Sequence, residues 1–195
     1  LSEVEVVVDV TPSGVGEINQ EKFYSRYKVK RVFQAGERLE VADIQTFMST
    51  VNYEDARKAS SVRIPSPFAV SLTRTLKPLD VEFGIKHVIC TLIRPGTEPM
   101  RGHQGPVDTI IPDKPYVADK TLRDEMQRMF PKDILFTSLK VPSMLLAVEV
   151  MVVDLNRRAS RENVIDLLCR VPRSIVVRSD MGLHSTDAIF EYIPR

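Results

Sequence analysis

Long apolar runs, a surplus of either charge and any wealth of cysteine are all missing from this 195-residue chain, and each absence closes off a class of function. No segment reaches the roughly 18 apolar residues that a helix needs to cross a bilayer. Nor does a charged start, an apolar stretch and a small-residue cleavage site mark a secretory leader. We therefore expect a cytoplasmic protein with no membrane partner. Lys and Arg number 27 against 26 Asp and Glu, so no bulk field is available to hold nucleic acid or an anionic surface. Cys90 and Cys169 are the only cysteines, and both lie in apolar runs. They read as buried, unlinked thiols suited to a reducing compartment.

Metal-ligand spacing is absent as well. His87, His103 and His184 stand far apart, none with a Cys, His or carboxylate at ligand spacing, whereas zinc requires three or four such donors. Only His103, in the loop Arg101-Gly-His-Gln-Gly-Pro, has the setting of a working histidine, and a plain surface loop explains it better. The chain opens at Leu1 in a strand-like run without an initiator methionine, which leads us to expect missing material upstream.

What is present reads as an α/β segment followed by an α+β one. Val4 to Val10 is a β-branched run, expected as a fully buried strand, that enters the turn Thr11-Pro-Ser-Gly-Val-Gly16. A helix from Asn19 to Tyr27 and a strand from Val29 to Gln34 complete a βαβ unit, and hence part of a parallel, Rossmann-like sheet. Val41, Ile44, Phe47, Met48 and Val51 step at helical period and predict a helix to about Thr50. The prolines of Ile64-Pro-Ser-Pro67 place a domain junction there, dividing residues 1–65 from 66–195.

Beyond the junction the pattern predicts a helix from Phe68 to Leu76. Apolar strands follow at Lys86 to Ile93, Val107 to Ile111, Asp133 to Val141 and Leu145 to Leu155. Little separates the last two, so an antiparallel sheet with helices on one face is expected. The charged stretch Lys120 to Met129 reads as a helix with a solvated face. Ser160 to Cys169 reads as a helix capped by Ser160, Ile175 to Arg178 as a strand, and Ser185 to Tyr192 as a last helix capped by Ser185 or Thr186.

Three groups of residues invite chemistry. Ser13, Gly14 and Gly16 lie between strand and helix, where backbone N–H groups approach a phosphate, although the full G-x-G-x-x-G is absent. Arg94 and Arg101, with Arg74 and Lys77, are candidates for an anion site. Arg157, Arg158, Arg161, Arg170, Arg173, Arg178 and Arg195 make the last third basic and leave RNA as an alternative partner.

Several strings then fall in one order: Arg74-Thr-Leu-Lys-Pro-Leu79, Leu92-Ile-Arg94, Glu98-Pro99, Gly105-Pro-Val-Asp-Thr-Ile-Ile-Pro112, Val141-Pro142 and Gly182-x-x-Ser-Thr186 with Glu191-Tyr192. Together with Val7-Val-Asp9, Pro12-Ser-Gly14, Gly16 and Gln34-Ala-Gly-Glu37, they resemble the archaeal-type phosphorylating glyceraldehyde-3-phosphate dehydrogenases. The resemblance implies a nucleotide-binding segment over residues 1–65 and a catalytic-like domain over 66–195. It also implies an attacking thiolate in a Ser-Cys-Asn-Thr-Thr-Gly motif and histidines in Thr-Thr-Leu-Met-His-x-His.

Here Ser66 matches the serine of that motif, but Pro67 stands at the nucleophile position and Phe68 at the Asn position. Ala147 and Glu149 stand at the two histidine positions. A non-catalytic relative is therefore expected, a binding or structural subunit of a larger assembly whose partner is a protein or a second copy of the chain. No cofactor is expected; NADP or NAD enters only if an upstream half exists. The rival expectations are an RNA- or ribosome-associated protein, and a residual NAD(P) or triose-phosphate binder or weak dehydrogenase using Ser13, Gly14 and Arg94.

Overall fold

A computed structural model describes residues 1–34, 36–96, 108–112 and 120–193. Arg101, His103 and Arg195 lie outside the described residues, as does Val107; of the strand expected from Val107 to Ile111, residues 108–110 are not strand and only Ile111 is, at the start of a two-residue strand. The chain forms two compact units, residues 1–74 with 121–131, and residues 75–120 with 132–195.

The first unit is built on β1 (Val6–Asp9), α1 (Val15–Lys22), β2 (Lys30–Phe33), α2 (Ser49–Lys58) and β3 (Ser61–Arg63). It also takes the start of α3 (Pro67–Phe83) and nearly all of α4 (Lys120–Met129). The strands form a parallel sheet in the order β1-β2-β3, with Val8 beside Val32 and Val32 beside Val62. A parallel pair requires a crossover, and α1 supplies it, so the βαβ expectation holds. Phe33 is fully buried, clustered with Val41 and Ala42, and Tyr24 packs against it at a ring-centroid distance of 6.3 Å. A buried side chain of that size stabilises by about 1.5–3 kcal/mol.

Two expectations for this unit fail. β1 is not a fully buried strand: only Asp9 is buried, while Val6, Val8 and Val10 are exposed. The helix expected over Val41 to Thr50 is instead a 3-10 turn at Leu39–Val41 followed by extended chain, and α2 begins at Ser49. The backbone of that stretch pairs with β3: Ile44 N–H donates to Ser61 O, Arg63 N–H to Ile44 O and Phe47 N–H to Arg63 O, at 2.8–3.1 Å. Asn52 fixes the start of α2 by accepting from Met48 N–H and donating to Thr46 O. Tertiary pairing has overridden a helical spacing.

The second unit carries β4 (Ile85–Pro95), β5 (Ile111–Pro112), β6 (Asp133–Val141) and β7 (Val148–Leu155) in the order β5-β6-β4-β7, with α5 (Arg161–Cys169) and α6 (Thr186–Tyr192) after them. This sheet is mixed rather than purely antiparallel. β4 lies between β6 and β7, parallel to the former and antiparallel to the latter, so the two strands closest in sequence are not neighbours. Along β4, Val88, Cys90 and Leu92 are buried while Ile89 is open to solvent, the alternation of a sheet covered on one side.

α3 runs past its expected end through Pro78 to Phe83 and stops at Gly84, whose φ of +70° a side chain would oppose. Ser160 caps α5 in a capping box with Asn163, and Ser185 caps α6, as expected. Residues 175–178 form no strand. Cys169 is exposed, against expectation; Cys90 is buried. Among the described residues no helix is long and apolar enough to cross a membrane.

Candidate functional site

The glycine turn after β1 is an organised anion cradle that the protein fills itself. Asp9 anchors it, accepting from Thr11 N–H at 3.0 Å, from the Thr11 hydroxyl, from Asn19 at 3.0 Å and from the Tyr24 hydroxyl at 2.8 Å. Burial pushes the Asp9 carboxyl up, but these donors outweigh burial and hold it below the usual carboxylate value. Gly14 then turns the chain with φ +84°.

The N–H groups of Gly14, Gly16 and Glu17 donate to the Glu37 carboxylate at 2.9, 3.1 and 3.3 Å. A Cβ on Gly16 would meet that carboxyl at 3.1 Å, so glycine here makes room for Glu37. Ser13 donates its hydroxyl to Gly36 O. The donors that would meet a nucleotide phosphate at Ser13–Gly16 are thus engaged by an internal carboxylate.

A second carboxylate occupies the start of α3. Pro67 is its first residue, a position where a missing N–H costs nothing. Ser66 caps the helix, its hydroxyl accepting from Ala69 N–H at 3.3 Å. Glu125, on α4 and fully buried, accepts from Ser66 N–H at 3.1 Å, from the Ser66 hydroxyl at 2.5 Å and from Arg63 Nη1 at 2.8 Å. Arg63, 1% exposed, also donates through Nε to Glu37 O at 2.9 Å. Arg63 therefore joins the residue that fills the first helix start to the one that fills the second.

The reading of α4 as a solvated charged helix is corrected at Glu125, and Arg63 and Glu37 were not singled out at all. Charge pattern alone carries no mark of burial; only an acid at the apolar spacing of Leu122, Met126 and Met129 hinted that Glu125 faces inward.

The first unit contains no cysteine or histidine, so neither thiol nor imidazole comes from it to the start of α3. In the second unit, Ala147 is exposed just ahead of β7, and Glu149 lies on β7 opposite Leu92 of β4. Burial pushes the Cys90 thiol up to about 12, with a smaller contribution from the Glu149 charge, which leaves it protonated and inert. Arg94 is on β4 and half-buried. His87 pairs with Asp133 across β4 and β6 at 2.7 Å. Among the described residues no three His, Cys, Asp or Glu side chains are grouped to hold a metal.

No family model matches the chain. It is 35% identical over 191 residues to a glyceraldehyde-3-phosphate dehydrogenase of Thermoplasma volcanium, aligning 98% of this chain with 56% of that protein. To the enzyme of the same name from Methanopyrus kandleri it is 36% identical, covering 96% of this chain and 53% of the relative. For Halobacterium salinarum the figures are 34%, 98% and 57%. The chain thus spans little more than half the length of the relatives it matches. Among solved structures, aspartate semialdehyde dehydrogenase II from Vibrio cholerae shares the fold, with a TM-score of 0.66 at 17% identity over 88% of this chain and 62% of that one.

Proposed function

Since the chain is similar to glyceraldehyde-3-phosphate dehydrogenases along nearly its whole length, we propose that it is a member of their family without thiol chemistry, serving as a binding or structural subunit of a larger assembly. One observation carries this reading: the helix start at Pro67 offers neither a sulfur nucleophile nor an N–H, and the adjacent Ser66 donors are held by Glu125. Loss of a covalent nucleophile alone commonly costs several orders of magnitude in rate. The Ser13–Gly16 turn does not fit NADP or NAD phosphates, because Glu37 holds its N–H groups. No step through a nicotinamide is derived.

An open sheet face supports the assembly role. Ile89, Leu135, Val150 and Val152 share one face of the second unit's sheet and are 40–62% exposed. Side-by-side apolar residues left to solvent are what protein interfaces cover. The occupant we propose is a second copy of the chain, through face-to-face packing of two such sheets.

The full chain is to be incubated with glyceraldehyde 3-phosphate, phosphate and NADP, with reduced cofactor followed by absorbance and covalent adducts by intact-mass spectrometry. Neither turnover nor adduct is expected; either one sinks the inert-subunit reading. An RNA partner would show itself as a salt-dependent complex with ribosomal RNA.

A further inference from the structure

The carboxyl end of the first unit's sheet is closed by Glu37, but its amino end is open. Two cavities meet there. One, of about 200 Å³, has apolar walls from Val6, Val32, Val62, Phe47, Tyr53 and Ala56. The other, about 600 Å³ and wider, is bordered by Tyr27, Lys28, Arg31 and Lys58 together with Glu3 and Glu5. Lys30, Arg31, Ala59 and Ser60 line both, so the two are continuous.

The cations of the wider cavity are not consumed internally. Lys30 donates to Arg57 O at 2.6 Å and is spent. Lys28 and Lys58 make no ion pair or hydrogen bond with described residues, and no salt bridge joins them to Glu3 or Glu5. Arg31 sits at the junction, half-buried, with its Nε buried and without an acceptor among the described residues. A buried guanidinium N–H without a partner forfeits about 1–3 kcal/mol, which an anion delivered to it would recover. Four bases against two acids leave the border net positive.

We infer that this amino-end cleft is a binding site for a phosphate monoester carrying a flat ring, the class of a nucleoside 5′-phosphate. The phosphate meets Arg31, Lys28 and Lys58; the guanidinium fork and the two ammonium groups suit a dianion held from several directions. The ring enters the apolar cavity beside Phe47 and Tyr53, whose volume is of ring size. Open α/β sheets ordinarily take ligands at their carboxyl ends. Here that end already holds a carboxylate, and the unsatisfied donor lies at the other. The site does not depend on the loss of thiol chemistry at α3.

The test is calorimetric titration of the full chain at low ionic strength, where exposed cations are least screened, with AMP, adenosine and inorganic phosphate as separate probes. AMP is expected to bind at least about tenfold more tightly than adenosine or phosphate alone, a difference of about 1.4 kcal/mol. Arg31→Gln is expected to weaken AMP by about tenfold or more while leaving the thermal unfolding of the chain intact. Should Arg31→Gln fail to fold, the double variant Lys28→Gln/Lys58→Gln, on exposed side chains, carries the same expectation at about threefold or more. The inference is overturned if AMP does not bind, if AMP and inorganic phosphate bind equally, or if binding survives removal of these cations.

Discussion

At the scale of single residues, the chain spends its charged groups inside the first unit. Arg63 and Glu125 are almost wholly buried, and removing one partner of such a pair strands the other. Glu125→Ala is expected to destabilise by about 3–5 kcal/mol in urea unfolding, whereas Arg63→Met/Glu125→Leu should recover much of that loss. Asp9 makes a different prediction. Its carboxyl titrates below its unfolded value, so its stabilisation is present above about pH 4 and is lost as acid drives the pH down through the folded value. Asp9→Asn should therefore cost about 1–3 kcal/mol at neutral pH and shrink the gap between urea midpoints measured at pH 6 and pH 3. The thiols supply a third check: a disulfide-exchange reagent should titrate Cys169 in the native protein and Cys90 only after unfolding.

At the scale of elements, regions whose residues satisfy themselves locally could be read in advance, and regions satisfied by distant partners could not. The α5 cap at Ser160 and the α6 cap at Ser185 depend on the next few residues, and both stand where the sequence put them. Ser160→Ala should cost about 1 kcal/mol, measured as a lowered thermal midpoint. Residues 42–48 carry a helical spacing but are claimed by β3 through Ile44 and Phe47, a pairing no local rule anticipates. The strands β6 and β7 were likewise legible singly, but not the insertion of β4 between them. Pro67 could be seen to lack a nucleophile from sequence alone; Glu125 at its shoulder could not, because 59 residues separate Glu125 from Ser66.

For the whole molecule, the likeness to glyceraldehyde-3-phosphate dehydrogenases was legible through colinear motifs and the parallel first sheet through its strand-helix-strand spacing, whereas the mixed second sheet and the use to which the fold is put were not. The proposed assembly rests on the open face of the second sheet. Leu135→Lys/Val152→Glu substitutes two side chains that are 54% and 62% exposed, so the fold should survive. Sedimentation velocity should show the wild-type chain self-associating with concentration and the double variant remaining a monomer. A monomeric wild type would remove the case for that face.

The pairing of Arg63 with Glu125 has a consequence for how the protein is made. The first unit draws on residues 1–74 and again on 121–131, with part of the second unit encoded between them. During synthesis, the nascent chain reaches Arg63 long before the ribosome has delivered its buried counter-ion. That arginine must stay hydrated until residue 125 clears the exit tunnel, so residues 1–74 cannot lock into their final state before then. Ending the chain at residue 74 should give not a smaller stable protein but a polypeptide with an uncompensated cation where its interior ought to be.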